Sequence, residues 1–98
     1  MICLKVYSKG TETLVAACDS DLLGKTFRGR GLTITISAGF YKGDDADEEM
    51  LVNRLEIATV ANLVGKRTLE IAVRHGFVDP DCVLDIGGVP HAQMARMV

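Results

Sequence analysis

The chain has 98 residues, 48% apolar and 24% charged, with a formal charge of −2. This composition argues against wholesale disorder and against a fibrous repeat, and the length suits one core rather than two, so a single domain over 1–98 is expected. No apolar run approaches the ~18 residues of a membrane span. The first seven residues carry Lys5 and lack a cleavage-type ending, so a cytoplasmic protein without membrane contact is expected, as a monomer or small homo-oligomer.

Charge is divided unevenly. Residues 1–43 hold six Lys or Arg against three acids, and residues 44–98 hold five against ten. A net acidic chain is a poor generic nucleic-acid binder, but its basic half can still present a local patch. Cys3, Cys18 and Cys82 are an odd number without a close pair, which indicates reduced, buried thiols rather than a disulfide framework or a metal half-site.

In chain order, 2–7 and 13–18 are short strand-like runs joined across Gly10, and they predict a hairpin. Asp19 or Ser20 offers a cap for a short helix that Gly24 stops. Segments 25–28 and 32–37 flank Gly29, Arg30 and Gly31, and the alternation of Thr33, Ile34, Thr35 and Ile36 predicts a strand with one wet face. The acidic run Asp44, Asp45, Asp47, Glu48, Glu49 precedes a helical stripe of Leu51, Leu55 and Ala58, where carboxylates favour the helix start and calcium-loop spacing is absent. Segment 57–64 is apolar except for Thr59 and Asn62, which predicts burial all round and an Asn62 amide bonded to main chain. A second helix follows Gly65, with Thr68, Leu69, Ala72 and Val73 inward, and ends at His75 and Gly76. A last strand is expected over 82–86. Then come Gly87, Gly88, Val89, Pro90 and His91, read as a strand-to-helix turn leading into a helix over 90–97. Together these elements predict an α+β fold, a small antiparallel or mixed sheet with helices packed on one face.

Two nucleotide motifs are incomplete. Gly24, Lys25, Thr26 ends like a phosphate-binding loop, but Asp19 stands where its first glycine belongs and would repel phosphate. Gly29 and Gly31 open a dinucleotide fingerprint whose third glycine is Ile34. No pair of Cys or His has zinc-ligand spacing, so neither metal nor cofactor is expected. A nucleophile pair of Cys18 or Cys82 with His75 or His91 is disfavoured by the strand-like apolar context of both thiols.

The stronger local signal is Lys25, Phe27, Arg28 and Arg30, a basic and aromatic ribbon suited to a phosphate backbone, although a solvated hairpin carries such charges too. Gly87, Gly88 and His91 form a second anion contact if a helix begins there, whereas a tight turn requires those glycines for geometry alone.

Segments 1–7, 22–27, 40–43, 61–65 and 86–93 together make the chain similar to a small archaeal family, domain of unknown function number four-hundred-and-twenty-four. The closing block, Ile86 to Gln93, is the most specific part of the match. The resemblance implies an archaeal cytoplasmic protein with a suspected link to RNA or translation, and it carries over no catalytic residue. Two functions follow as expectations. One is a non-enzymatic binding module for RNA or a translation-associated protein. The other is a small-molecule anion-binding protein or enzyme that uses the Gly87 and Gly88 turn with His91.

Overall fold

The structure is a computed structural model and describes residues 1–96. The two leading runs form the expected hairpin of β1 (Ile2–Lys9) and β2 (Glu12–Asp19), with Ile2 opposite Asp19 and Lys9 opposite Glu12. A 3-10 turn at Ser20–Leu22 replaces the short helix expected there and has no side-chain cap. Next come β3 (Thr26–Gly29) and β4 (Leu32–Thr35), which pair with each other as a separate two-stranded sheet. The one-turn helix α1 (Ala38–Tyr41) leads to the short strand β5 (Asp44–Ala46).

Helix α2 (Glu48–Ile57) starts where the acidic run ends. The Asp47 carboxylate accepts from the Met50 N–H at 2.8 Å, and Glu48 and Glu49 fill the first turn, where the helix dipole favours negative charge. Strand β6 (Val60–Val64) and helix α3 (Lys66–Arg74) follow. At the end of α3, Gly76 N–H donates to Val73 O at 3.0 Å and Phe77 N–H to Ala72 O at 2.9 Å, the paired bonds of a glycine-terminated helix.

A second 3-10 turn at Pro80–Cys82 precedes β7 (Leu84–Ile86), shorter than the strand expected over 82–86, and β8 (Val89–Ala95) follows. The predicted helix over 90–97 is therefore a strand as far as Ala95, and Met97 lies outside the described residues. Ala92, Gln93 and Met94 suit a helix, but β8 gains ladder bonds from β6 on one side and β7 on the other, and that pairing overrides local propensity. Pro90 is tolerated because β6 ends opposite His91. On that flank the Pro90 carbonyl accepts from Gly65 N–H at 2.9 Å, and its missing N–H faces no further strand residue.

The six strands are ordered β5-β1-β2-β6-β8-β7, with β2 and β6 parallel and the other neighbours antiparallel. This is the α+β architecture with a mixed sheet. Alternation along the strands divides the core in two. On one face Leu4, Val15, Ala17, Leu63 and Met94 meet Leu51 and Leu55 of α2 and Leu69, Ile71 and Ala72 of α3. On the other, Cys3, Ala16, Cys18, Val64 and Val89 meet Ile36 and Tyr41, with Phe27, Ile34 and Phe40 packed against them. The two longer helices thus share one face, as predicted, while a hairpin and one helical turn cover part of the other.

Segment 57–64 is not buried all round. Ile57 is 59% exposed, and β6 alternates, with Ala61 and Leu63 fully buried and Asn62 half-buried on the opposite side. An apolar composition that resembles a buried helix is here the end of one helix and a strand in the middle of a sheet. Thr59 joins them: its hydroxyl accepts from Thr13 N–H at 2.9 Å and donates to Thr13 O at 3.1 Å.

Candidate functional site

The β3–β4 hairpin closes through Arg30 and Gly31, both at positive φ (54° and 73°). Such a two-residue turn normally selects Asn or Gly at its first position, so an arginine there is strained by roughly 1 kcal/mol. The base of the hairpin is pinned by main-chain bonds: Gly24 N–H to Ile36 O at 2.7 Å, Ile36 N–H to Lys25 O at 2.9 Å and Lys25 N–H to Leu22 O at 3.0 Å. Its outer side carries Thr26, Arg28, Thr33 and Thr35, all exposed, with the Thr26 and Thr35 hydroxyls 3.0 Å apart. Its inner side carries Phe27 and Ile34, half-buried against the second core cluster. Phe27 is therefore an anchor of the hairpin and does not lie among the charges, contrary to the ribbon drawn from sequence.

Lys25, Arg28 and Arg30 are exposed, and among the described residues none forms an ion pair. The chain has no Asp or Glu between Leu22 and Gly43, so the hairpin itself supplies no carboxylate to these cations.

Gly87 and Gly88 turn one strand into the next, at φ 63° and 90°, and no helix begins at them. The Gly88 N–H is already donated to the Asp85 carboxylate at 2.9 Å, which sets negative charge where an anion was expected. The glycines have a packing role instead. A Cβ on Gly87 would come within 2.7 Å of Arg28 O, and one on Gly29 within 2.7 Å of Gly87 N, so the hairpin backbone rests directly on the turn. The backbone of Arg28 makes this contact, and its side chain is exposed on the outer side. His91 is half-buried on β8, and burial pushes its pKa down, which favours the neutral imidazole. Lys25, Arg28 and Arg30 are thus exposed at the base, the outer side and the tip of the hairpin, which meets the Gly87 turn through its backbone.

A strand–glycine–helix anion site does exist elsewhere, at β6, Gly65 and α3, and the protein fills it itself. The Asp19 carboxylate accepts from Arg67 N–H at 3.1 Å, Thr68 N–H at 2.9 Å and the Thr68 hydroxyl at 2.8 Å. A Cβ at Gly65 would overlap that carboxylate. Asp19, expected to cap its own turn, instead caps a helix far along the chain, because the β2–β6 pairing brings its strand end beside the α3 N-terminus.

The helix side carries an ion network. Glu48 contacts Arg74, His75 Nε2 at 3.0 Å and Arg67 at 3.6 Å, while Glu70 meets Arg67 at 3.1 Å and Arg74 at 3.3 Å. Hydrogen bonds from Arg74 and then His75 hold the Glu48 carboxyl at about 2. A nearby groove of about 570 Å³ is lined by Asp45, Asp47 and Glu49, with Met1 and Arg54 also on its wall.

Nucleophilic chemistry finds little support. Cys3 and Cys18 face each other across β1 and β2, both buried, and burial pushes the Cys18 thiol up to about 12, so it stays protonated. The register places Cys18 two strands from His91, about 10 Å at normal strand spacing and too far for a proton-transfer pair. Cys82, expected to be buried, is exposed in a 3-10 turn. No group of three or more His, Cys, Asp or Glu among the described residues is arranged to hold a metal ion.

Sequence reasoning missed one further surface. Beyond the cover of the hairpin and α1, the second sheet face continues over Leu14, Val60 and Ala95, with Asn62 and Gln93 opposite each other on β6 and β8. Gln93 Nε2 donates to Asn62 Oδ1 at 3.1 Å, so the Asn62 amide meets a side chain and not the main chain it was expected to pin. No local pattern signals this pair, because a helix over 90–97 would not set Gln93 opposite Asn62.

Residues 7–97 match the family described as Protein of unknown function (DUF424). The crystal structure of an uncharacterized conserved protein from Methanopyrus kandleri is similar, with a TM-score of 0.79 and 27% identity, covering 99% of this chain and 95% of the other. No curated protein matches significantly.

Proposed function

The chain belongs to that family of proteins of unknown function, and we propose that it is a non-enzymatic module that binds RNA through Lys25, Arg28 and Arg30. The observation that carries this reading is the exposed, unpaired state of those cations on a pinned hairpin that lacks acids, in a chain whose net charge is negative. Concentrating free positive charge on one ribbon favours phosphate contact there, while the acidic helix side repels a polyanion and orients it. The strained arginine at the hairpin tip agrees, since backbone strain is retained where a side chain is needed at that position. The alternative of a small anion at Gly87, Gly88 and His91 lacks a comparable observation: the turn meets a carboxylate and the imidazole favours its neutral form.

Binding of host RNA by fluorescence anisotropy over a salt series tests the proposal. Log affinity should fall linearly with log salt, and each contacting cation lost should reduce the slope by about 0.7 for single strands. Reversal of Arg28 and Arg30 to Glu should abolish binding with the melting temperature nearly unchanged. Salt-independent binding, or equal binding by the double reversal, defeats the reading.

A further inference from the structure

We propose that the uncovered strip of the six-stranded sheet, centred on Asn62 and Gln93 with His91 beside them, hydrogen-bonds the bases of single-stranded RNA whose backbone the hairpin holds. This inference rests on the RNA reading above and adds a place where sequence is read.

The register sets Lys5, Ala16, Asn62 and Gln93 in one row across β1, β2, β6 and β8. In the adjoining rows, Val60 and Ala95 lie on one side of the amide pair, and His91, opposite Val64, lies on the other. The bond between Gln93 and Asn62 uses one N–H and one lone pair, so the pair keeps three N–H donors and several acceptor sites free, whichever way the two amides are turned. Amide side chains present a donor and an acceptor side by side, the pattern that matches a base edge. The neutral His91 ring adds one donor and one acceptor.

The surroundings suit a base more than a phosphate. Leu14, Val60 and Ala95 supply apolar floor for a base plane, and the row carries no carboxylate and ends in Lys5, whose ammonium sits 5.3 Å from the Tyr7 ring centroid. Measured along β8 from Val89, just past the turn on which Arg28 rests, His91 and Gln93 lie about 7 and 13 Å away at ~3.3 Å per residue. The span from the turn that supports the hairpin to these two side chains is thus a few nucleotides long. The duplex form does not fit, since paired bases turn their edges inward and leave mainly backbone and 2′-hydroxyls to contact.

The test compares twelve-nucleotide homopolymers of A, C and U, and an RNA duplex, against wild type, the Asn62→Leu/Gln93→Leu variant and the single variant Gln93→Ala, whose site is exposed and tolerant. Wild type should prefer one homopolymer about tenfold over another and over the duplex. The double variant should lose that preference with its salt slope unchanged, and Gln93→Ala should lose part of it. In NMR titration with the preferred homopolymer, the side-chain amide resonances of Asn62 and Gln93 should shift. If hairpin reversal abolishes binding while both amide variants keep the full preference, or if the amide resonances stay still, the strip inference falls and the RNA reading survives. If no RNA binds wild type with salt sensitivity, both fall, and a protein contact on this strip becomes the reading to pursue.

Discussion

The two faces of the six-stranded sheet are covered by different means. On one face α2 and α3 bring fully buried Leu51, Leu55, Ile71 and Ala72 onto the sheet, and Arg67, Arg74 and His75 pair with Glu48 or Glu70. On the other, a two-stranded hairpin and one helical turn cover part of the sheet, its cations stand unpaired, its tip is strained, and Asn62 and Gln93 are left at the edge of the cover. Where the sheet is fully packed over, little of it is left to offer a partner. Where it is not, the protein keeps features that folding alone does not call for, which is why binding is proposed on the hairpin side.

Neighbouring residues on β6 give the sharpest way to break this comparison. Leu63 points into the helix-covered core with no exposed surface, and Leu63→Ala should cost about 2–5 kcal/mol in denaturant unfolding. Asn62→Leu, one residue away on the other face, should cost under about 1 kcal/mol. Equal costs would mean that both faces are structural. A smaller effect of opposite sign is expected at the hairpin tip: Arg30→Asn relieves the positive φ and should raise stability by about 0.5–1 kcal/mol while weakening RNA binding. A loss of stability there would show that Arg30 is held by contacts and not merely tolerated.

The smallest effect belongs to the exposed ion network, which solvent screens. Glu48 has a folded pKa of about 2 against an ordinary 4.5, so the unfolded chain takes up a proton first as pH falls. Its stabilisation is complete above about 4.5 and disappears as pH falls through about 2. In Glu48→Gln that part of the acid-unfolding slope should vanish, as read by thermal melts between those two pH values. An unchanged slope would remove Glu48 from the account of the helix face.

Much of the fold was legible because periodicity and capping act locally. The β1–β2 hairpin, the wet-faced strand containing Thr33 and Thr35, the acidic start of α2 and the Gly76 stop of α3 all follow from short-range patterns. What was misread depended on partners distant in sequence. The stretch from Pro90 suits a helix until β6 and β7 flank it, although Gly-Gly between apolar runs is also a hairpin signal. Asp19 looked like a local cap because nothing near it in sequence reveals the α3 N-terminus. At the site, the charge of Lys25, Arg28 and Arg30 was legible, but the inward turn of Phe27 was not, since alternation alone does not say which side of a hairpin meets the core. The Asn62 and Gln93 pair required the register of two strands and lay beyond any local pattern.

The parallel pairing of β2 with β6 also bears on the order in which the protein can assemble. β1 and β2 can close as soon as both exist, but β2 must wait for β6, because β3, β4, α1, β5 and α2 intervene, and β6 in turn waits for β8. Such distant pairing slows folding, since loop-closure entropy is met before the contacts that offset it form. Until β8 arrives, the Val60–Val64 strand presents an unpaired edge of apolar residues, the kind that templates association with other chains. The vulnerable moment in the life of this protein is therefore its synthesis, and the late hairpin of β7 and β8 is the piece that ends the exposure.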